Sequence, residues 1–137
     1  MTTTTEKTDG ATLEAISCAK ASIAEICLLH DSWHRLSNGG KPSEADIANE
    51  TTSTDEIRQR IKELCYSVVR MSRTVEILLA GGGPMVRLVL DRKGYTLSSP
   101  RIEYATWFQP VKRYPCGRLQ QTSLLWFGQM AFNRQDR

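Results

Sequence analysis

The stretch "LLHDSWH", residues 28–34, holds the only two histidines of the chain, four residues apart with Asp31 between them. On a helix this spacing puts His30 and His34 on one face. In the HExxH helices of zinc proteases the same spacing lets two imidazoles hold the metal while a glutamate activates its water. Asp31 is a methylene shorter than that glutamate, and a third ligand would have to be Asp, Glu or Cys. His30 and His34 are therefore weak metal-ligand candidates, for a metal-dependent hydrolase as the last of three functional readings. Nucleophilic catalysis has no GxSxG to rest on. The glycine run in "LLAGGGPMVRL" lacks the GK[ST] of a phosphate loop and precedes a strand pattern, where such a loop should open a helix. Cys18, Cys27, Cys65 and Cys116 contain no CxxC pair and read as reduced, packed thiols, with Cys116 in its Pro-Cys-Gly turn expected to be the reactive one. No cofactor is expected, and a non-enzymatic role is favoured.

A second signal is compositional. Arg87, Arg92, Lys93, Arg101, Lys112, Arg113 and Arg118 lie among Tyr95, Tyr104, Trp107 and Tyr114. Single-stranded nucleic acid is held by this mixture, because rings such as Tyr95 and Tyr114 stack on bases while cations neutralise phosphates. Lys93 at a hairpin tip and the Lys112-Arg113 pair are the best phosphate contacts. An acidic protein partner would suit the same surface. The whole chain carries a formal +3, but residues 1–80 hold nine Lys/Arg and twelve Asp/Glu, and residues 81–137 nine and three. Eight of the ten aromatics also fall after residue 80, so the internal boundary is placed at Gly81-Gly82-Gly83-Pro84.

These residues must be positioned by the elements around them. Residues 1–10, threonine-rich and without periodicity, are expected to be a disordered tail. From Ala11 to about Leu36, Ile16, Ala19, Ile23, Ile26, His30 and Trp33 step by three and four, and Asn38-Gly39-Gly40 supplies a stop. A second helix is expected from the Ser53/Glu56 capping pair to the glycines. Along it Ile57, Ile61, Leu64, Val68, Met71, Val75 and Leu78 keep the same heptad step, and Glu56 and Arg60 form an i,i+4 pair. The linker, residues 37–53, could start a short helix at Ser43. After the glycines the period becomes two. Val86, Leu88 and Leu90 read as a strand and Asp91-Arg92-Lys93-Gly94 as a hairpin turn. Tyr95-Thr96-Leu97 begins the return strand, which Ser99-Pro100 interrupts. Leu119 to Asn133 reads as a largely buried helix.

The expected fold class is α+β. A long antiparallel helical hairpin with heptad-spaced apolar stripes (11–80) is followed by a basic, aromatic part (81–137) packing on the helices. That part holds a small antiparallel β-hairpin or sheet and a C-terminal helix. "LLWF" with the later "FNR" resembles a short segment of hepadnavirus capsid proteins, but the strand pattern before it departs from that all-helical fold and no residue role follows. With no bilayer-length apolar run, a soluble, intracellular (cytoplasmic) protein without membrane contact is expected. The leading functional expectation is a non-enzymatic interaction or assembly protein that self-associates, as a homo-oligomer, or binds a macromolecular partner. Its heptad seam would carry the contact: Ile23, Ile26, Trp33, Ile57, Ile61, Leu64, Val68, Met71, Val75 and Leu78. RNA or DNA binding by the basic half is the alternative.

Overall fold

The computed structural model describes residues 10–107 and 109–135. The N-terminal tail expected over residues 1–10 lies outside these, apart from Gly10, which opens the first helix. Helix α1 (Gly10–Ser37) runs for 28 residues, with Ala15, Ala19, Ile23, Ile26 and Leu29 buried along one side. It stops where the Asn38-Gly39-Gly40 run begins. Two short helices follow, α2 (Glu44–Ala48) and α3 (Thr54–Leu64). Strands β1 (Ser67–Arg70), β2 (Thr74–Ala80), β3 (Met85–Lys93), β4 (Thr96–Ala105) and β5 (Lys112–Tyr114) form one antiparallel sheet in sequence order. Helix α4 (Arg118–Gln135) completes the α+β fold.

The second helix is 11 residues long, not the 27 or so the heptad step suggested, and no long helical hairpin forms. Cys65 turns extended (φ −91°, ψ 108°) and the chain leaves for β1. The reason is local. Val68, Val69, Thr74, Val75 and Ile77 are β-branched, stiff about χ1 and better suited to a pleated surface than to a helix interior. The heptad set also coincided in part with strand alternation. Val75 and Ile77 point inward on β2, while Leu78 points to the other face and Met71 sits in the β1–β2 turn. The glycine run therefore links β2 to β3 rather than stopping a helix, and the sheet has five strands, two of them from the segment expected to be helical. Arg60, expected to pair with Glu56, instead reaches Glu25 of α1 (Nε to Oε2 2.9 Å).

Helices α1 and α4 pack on each other and on β3 and β4, α4 also touches β1, and α3 lies against both helices. The core between helices and sheet joins Ile23, Ile26, Ile57 and Ile61 to Val75, Ile77, Leu88, Leu90, Ile102, Leu124, Phe127 and Phe132. A Cβ on Gly128 would stand 2.5 Å from a Leu90 methyl, so glycine lets α4 lie close on β3. Gly94 opens the two-residue β3–β4 loop at φ 62°, a conformation disfavoured for side chains. Ser99-Pro100 does not break the return strand. The register slips once there, with Ser99 at φ 52°, and this bulge absorbs a proline that cannot donate to the ladder.

Candidate functional site

The most heavily constrained polar group is on α2. Asp46 is 3 % exposed. Ser32 of α1 donates to its Oδ1 at 2.6 Å, and Arg35, one turn on, donates to Oδ2 at 2.6 Å. The Ser43 backbone N–H donates to Oδ2 at 2.8 Å and the Asp46 N–H returns a bond to Ser43 Oγ at 3.1 Å, a capping box that closes α2's first turn. Burial by itself would raise the carboxyl's pKa. The Ser32 and Arg35 hydrogen bonds, the Ser43 N–H and the Arg35 charge outweigh it and hold Asp46 well below the usual carboxylate range. Thr51 then turns back to bond the Asp46 carbonyl (2.8 Å), which requires Glu50 to sit at φ 58°. In this way Asp46 pins an otherwise short loop helix to the C-terminal end of α1.

Pinning α2 leaves a groove of about 880 Å³ between α1, α2 and α3. On α1 it is lined by Ala21, Ala24 and Leu28, a stripe turned away from buried Ala19, Ile23 and Ile26. Leu28 is 59 % exposed, and the exposed Ala45 and Ala48 of α2 extend the apolar floor. The lining is acidic, with six carboxylates, buried Asp46 among them, against two guanidiniums. Arg35 is taken by Asp46 and Arg60 by Glu25, with Glu63 3.6 Å away. Glu56 accepts from the side chain and backbone of Thr52, bonds that lower its pKa and keep it ionised. Asp31 and Glu50 carry the remaining surplus at the mouth. An apolar floor inside an acidic rim can hold a segment that offers an apolar face flanked by cations.

The histidines are elsewhere. His30 Nδ1 lies 2.9 Å from Ser123 Oγ of α4, and its ring stacks on Trp126 at 4.8 Å, beside Trp33. Burial lowers the His30 pKa, Asp31 opposes and His34 adds to the lowering. His34 is exposed and pairs with Asn38 (3.3 Å). Ser123 is 6 % exposed, so the His30–Ser123 pair is a part-buried strut between α1 and α4 rather than an accessible nucleophile. Among the described residues no group of three or more His, Cys, Asp or Glu is placed to hold a metal ion. Cys116 departs from expectation. Burial raises its thiol pKa, against the lowering effect of Arg113 and with a small contribution from Cys27, which keeps more of it as the thiol near neutral pH.

The basic set does not form one face. On the open side of the sheet Arg87 bridges Glu76 (3.3 Å) and Glu103 (2.8 Å), and Arg101 bonds Asp91 (3.1 Å). Arg92 turns under the sheet to lie over the Phe132 ring (5.1 Å), with its guanidinium on the Met71 and Gly94 carbonyls. Tyr95 is exposed at the β3–β4 turn, and Tyr114 meets Tyr104 edge to face on the inner side. Lys93, Lys112, Arg113 and Arg118 are exposed and make no ion pair among the described residues.

The seam is largely internal as well. Ile23, Ile26, Ile57, Ile61 and Val75 are at most 2 % exposed. Trp33, Leu64 and Val68 pack on the core's edge, Met71 is in a turn, and Leu78 faces the open side. Sequence reasoning missed the groove, whose only local signals were the Ser43/Asp46 spacing and an apolar Ala21-Ala24-Leu28 stripe off the seam. Compared with known proteins, the chain matches no family model, no curated protein and no solved structure. No described helix is long and apolar enough to cross a membrane.

Proposed function

We infer that this chain is a non-enzymatic interaction module whose docking site is the groove between α1 and α3, taking a basic segment with an apolar face. The observation that carries this is the groove itself: exposed Leu28, Ala24 and Ala48 in a lining whose carboxylates, buried Asp46 included, outnumber its cations by six to two. The heptad seam has less to offer a partner, because Ile23, Ile26, Ile57, Ile61 and Val75 lie in the core and Trp33, Leu64 and Val68 pack on its edge. The placement of His30 against Ser123 and Trp126 favours a packing role over a catalytic one. The test is fluorescence anisotropy with a labelled amphipathic helical peptide of Lys and Leu, alongside its Glu-for-Lys counterpart. The basic peptide is expected to bind with an affinity that falls as salt rises, since the rim charges are exposed and screened. Equal binding of both peptides, or none, would sink the reading.

RNA or DNA binding is a second reading, favoured by exposed Lys93 beside Tyr95 at the β3–β4 turn and by exposed Lys112 and Arg113 towards the other end of β4, where Trp107 is exposed. It predicts affinity that drops steeply with salt through counterion release. An oligonucleotide bound equally well by the wild type and a Lys93/Lys112/Arg113 triple alanine variant would remove this assignment.

A further inference from the structure

The groove has a complement on the same chain. Beyond β4, Trp107 is 68 % exposed and Val111 45 %, and the exposed cations Lys112 and Arg113 begin β5. Apolar knobs beside two cations are the chemistry that an apolar floor inside an acidic rim accepts. Within one molecule the two cannot meet. Gln109, Pro110 and Lys112 lie beside Thr12, near the start of α1, whereas the groove is built around Leu28. At 1.5 Å per residue of helix, Thr12 and Leu28 stand about 24 Å apart on one rigid element.

We propose that the groove receives the β4–β5 projection of a second copy of this chain, with Trp107 and Val111 on the Ala24/Leu28 floor and Lys112 and Arg113, on opposite sides of β5, flanking it towards Asp31 and Glu50. The inference rests on the groove reading above and names its partner. Each copy then offers one groove and one projection, so the contact joins unlike surfaces. Contacts of this kind propagate head to tail, into a ring where the rotation closes and an open chain where it does not. Exposed charge pairs make the association reversible and weaker at high salt.

Two variants, altered only at exposed positions, test it by light scattering over a concentration series. One is the groove variant Asp31→Lys/Glu50→Lys, the other the projection variant Lys112→Glu/Arg113→Glu, each checked for a wild-type melting curve. The wild type is expected to gain mass with concentration beyond two chains, while each variant alone stays at one chain. Mixed, the two variants are expected to regain association beyond two chains, because the intact groove meets the intact projection and the reversed pair, lysines against glutamates, is complementary as well. A wild type that stays at one chain, a mixture that stays at one chain, or a variant that associates like the wild type overturns the proposal. Should a variant fail to fold, a synthetic peptide of residues 105–114 added to the wild type replaces it. The peptide is expected to return the assembly to one chain, and failure to bind counts against the proposal. If the wild type is monomeric yet still binds the basic amphipathic peptide, self-docking alone has failed. If it binds neither, the groove reading fails too.

Discussion

The groove and the open face of the sheet both carry many charges, and they differ in how those charges are answered. On the sheet, Arg87 lies between Glu76 and Glu103, and Arg101 meets Asp91 on the same face. Each charge is balanced by a neighbour, which leaves little field for a partner. In the groove, Arg35 and Arg60 are held by Asp46 and Glu25, and the remaining carboxylates surround exposed aliphatic groups. Composition offered the basic half as an alternative interaction surface beside the heptad seam, but pairing, which composition does not reveal, favours the groove in the helical layer. A surface binds through the charge left over after its own ion pairs are made.

Four substitutions or titrations would break or sharpen this contrast. The largest effect is expected from Asp46→Ala, which leaves Arg35, Ser32 and the first turn of α2 without their shared acceptor. A loss of about 2–3 kcal/mol is expected by denaturant unfolding. Hydrogen exchange should rise first in α2, and unchanged protection there would show that the groove's floor does not depend on Asp46. Arg87→Ala is expected to cost about 1 kcal/mol, because it leaves Glu76 and Glu103 facing each other across β3 in a partly screened setting. Peptide binding should be untouched.

The His30 titration comes next. Its folded pKa lies below the ordinary histidine value of 6.5, so between the two the unfolded chain binds more protons. The contribution is therefore fully present above pH 6.5 and is lost as pH falls through that window. Asp31 and His34 are the titratable groups acting on it, with Arg58 nearby over Trp33 (5.0 Å). Replacing His30 by Phe should flatten the stability profile below pH 6.5, and an unchanged slope would contradict the strut reading. The smallest effect on stability is expected from Asp31→Asn/Glu50→Gln, within about 0.5 kcal/mol for exposed positions. The same change should weaken the basic peptide measurably, in contrast to Arg87→Ala.

The fold was legible where periodicity and chemistry agreed. Helix α1, the Asn38-Gly39-Gly40 stop, the Ser43 and Ser53 caps, the Gly94 hairpin and the C-terminal helix follow from local rules. Residues 65–80 did not, because apolar residues at heptad positions can also be met by a strand, a turn and a second strand. Val68 and Val75 satisfy both patterns, and only the β-branched content of the segment separates them. Of the groove, the sequence shows a cap at Ser43 and small residues on α1. That Asp46 would be drawn onto Ser32 and Arg35 depends on a contact between residues 11 and 14 positions apart. No local spacing encodes that contact. The fate of the basic residues was hidden for the same reason, since Glu76 and Glu103 reach Arg87 only once three strands are paired.

The central claim is that the surplus charge around Leu28 marks the binding surface. Backbone amide chemical-shift mapping during titration with the basic amphipathic peptide tests it most directly. The account predicts shifts concentrated at Ala21, Ala24, Leu28, Ala48 and Glu50, with Arg87, Glu103 and Arg101 on the sheet unmoved. Shifts concentrated on the sheet face, or none at saturating peptide, would contradict it.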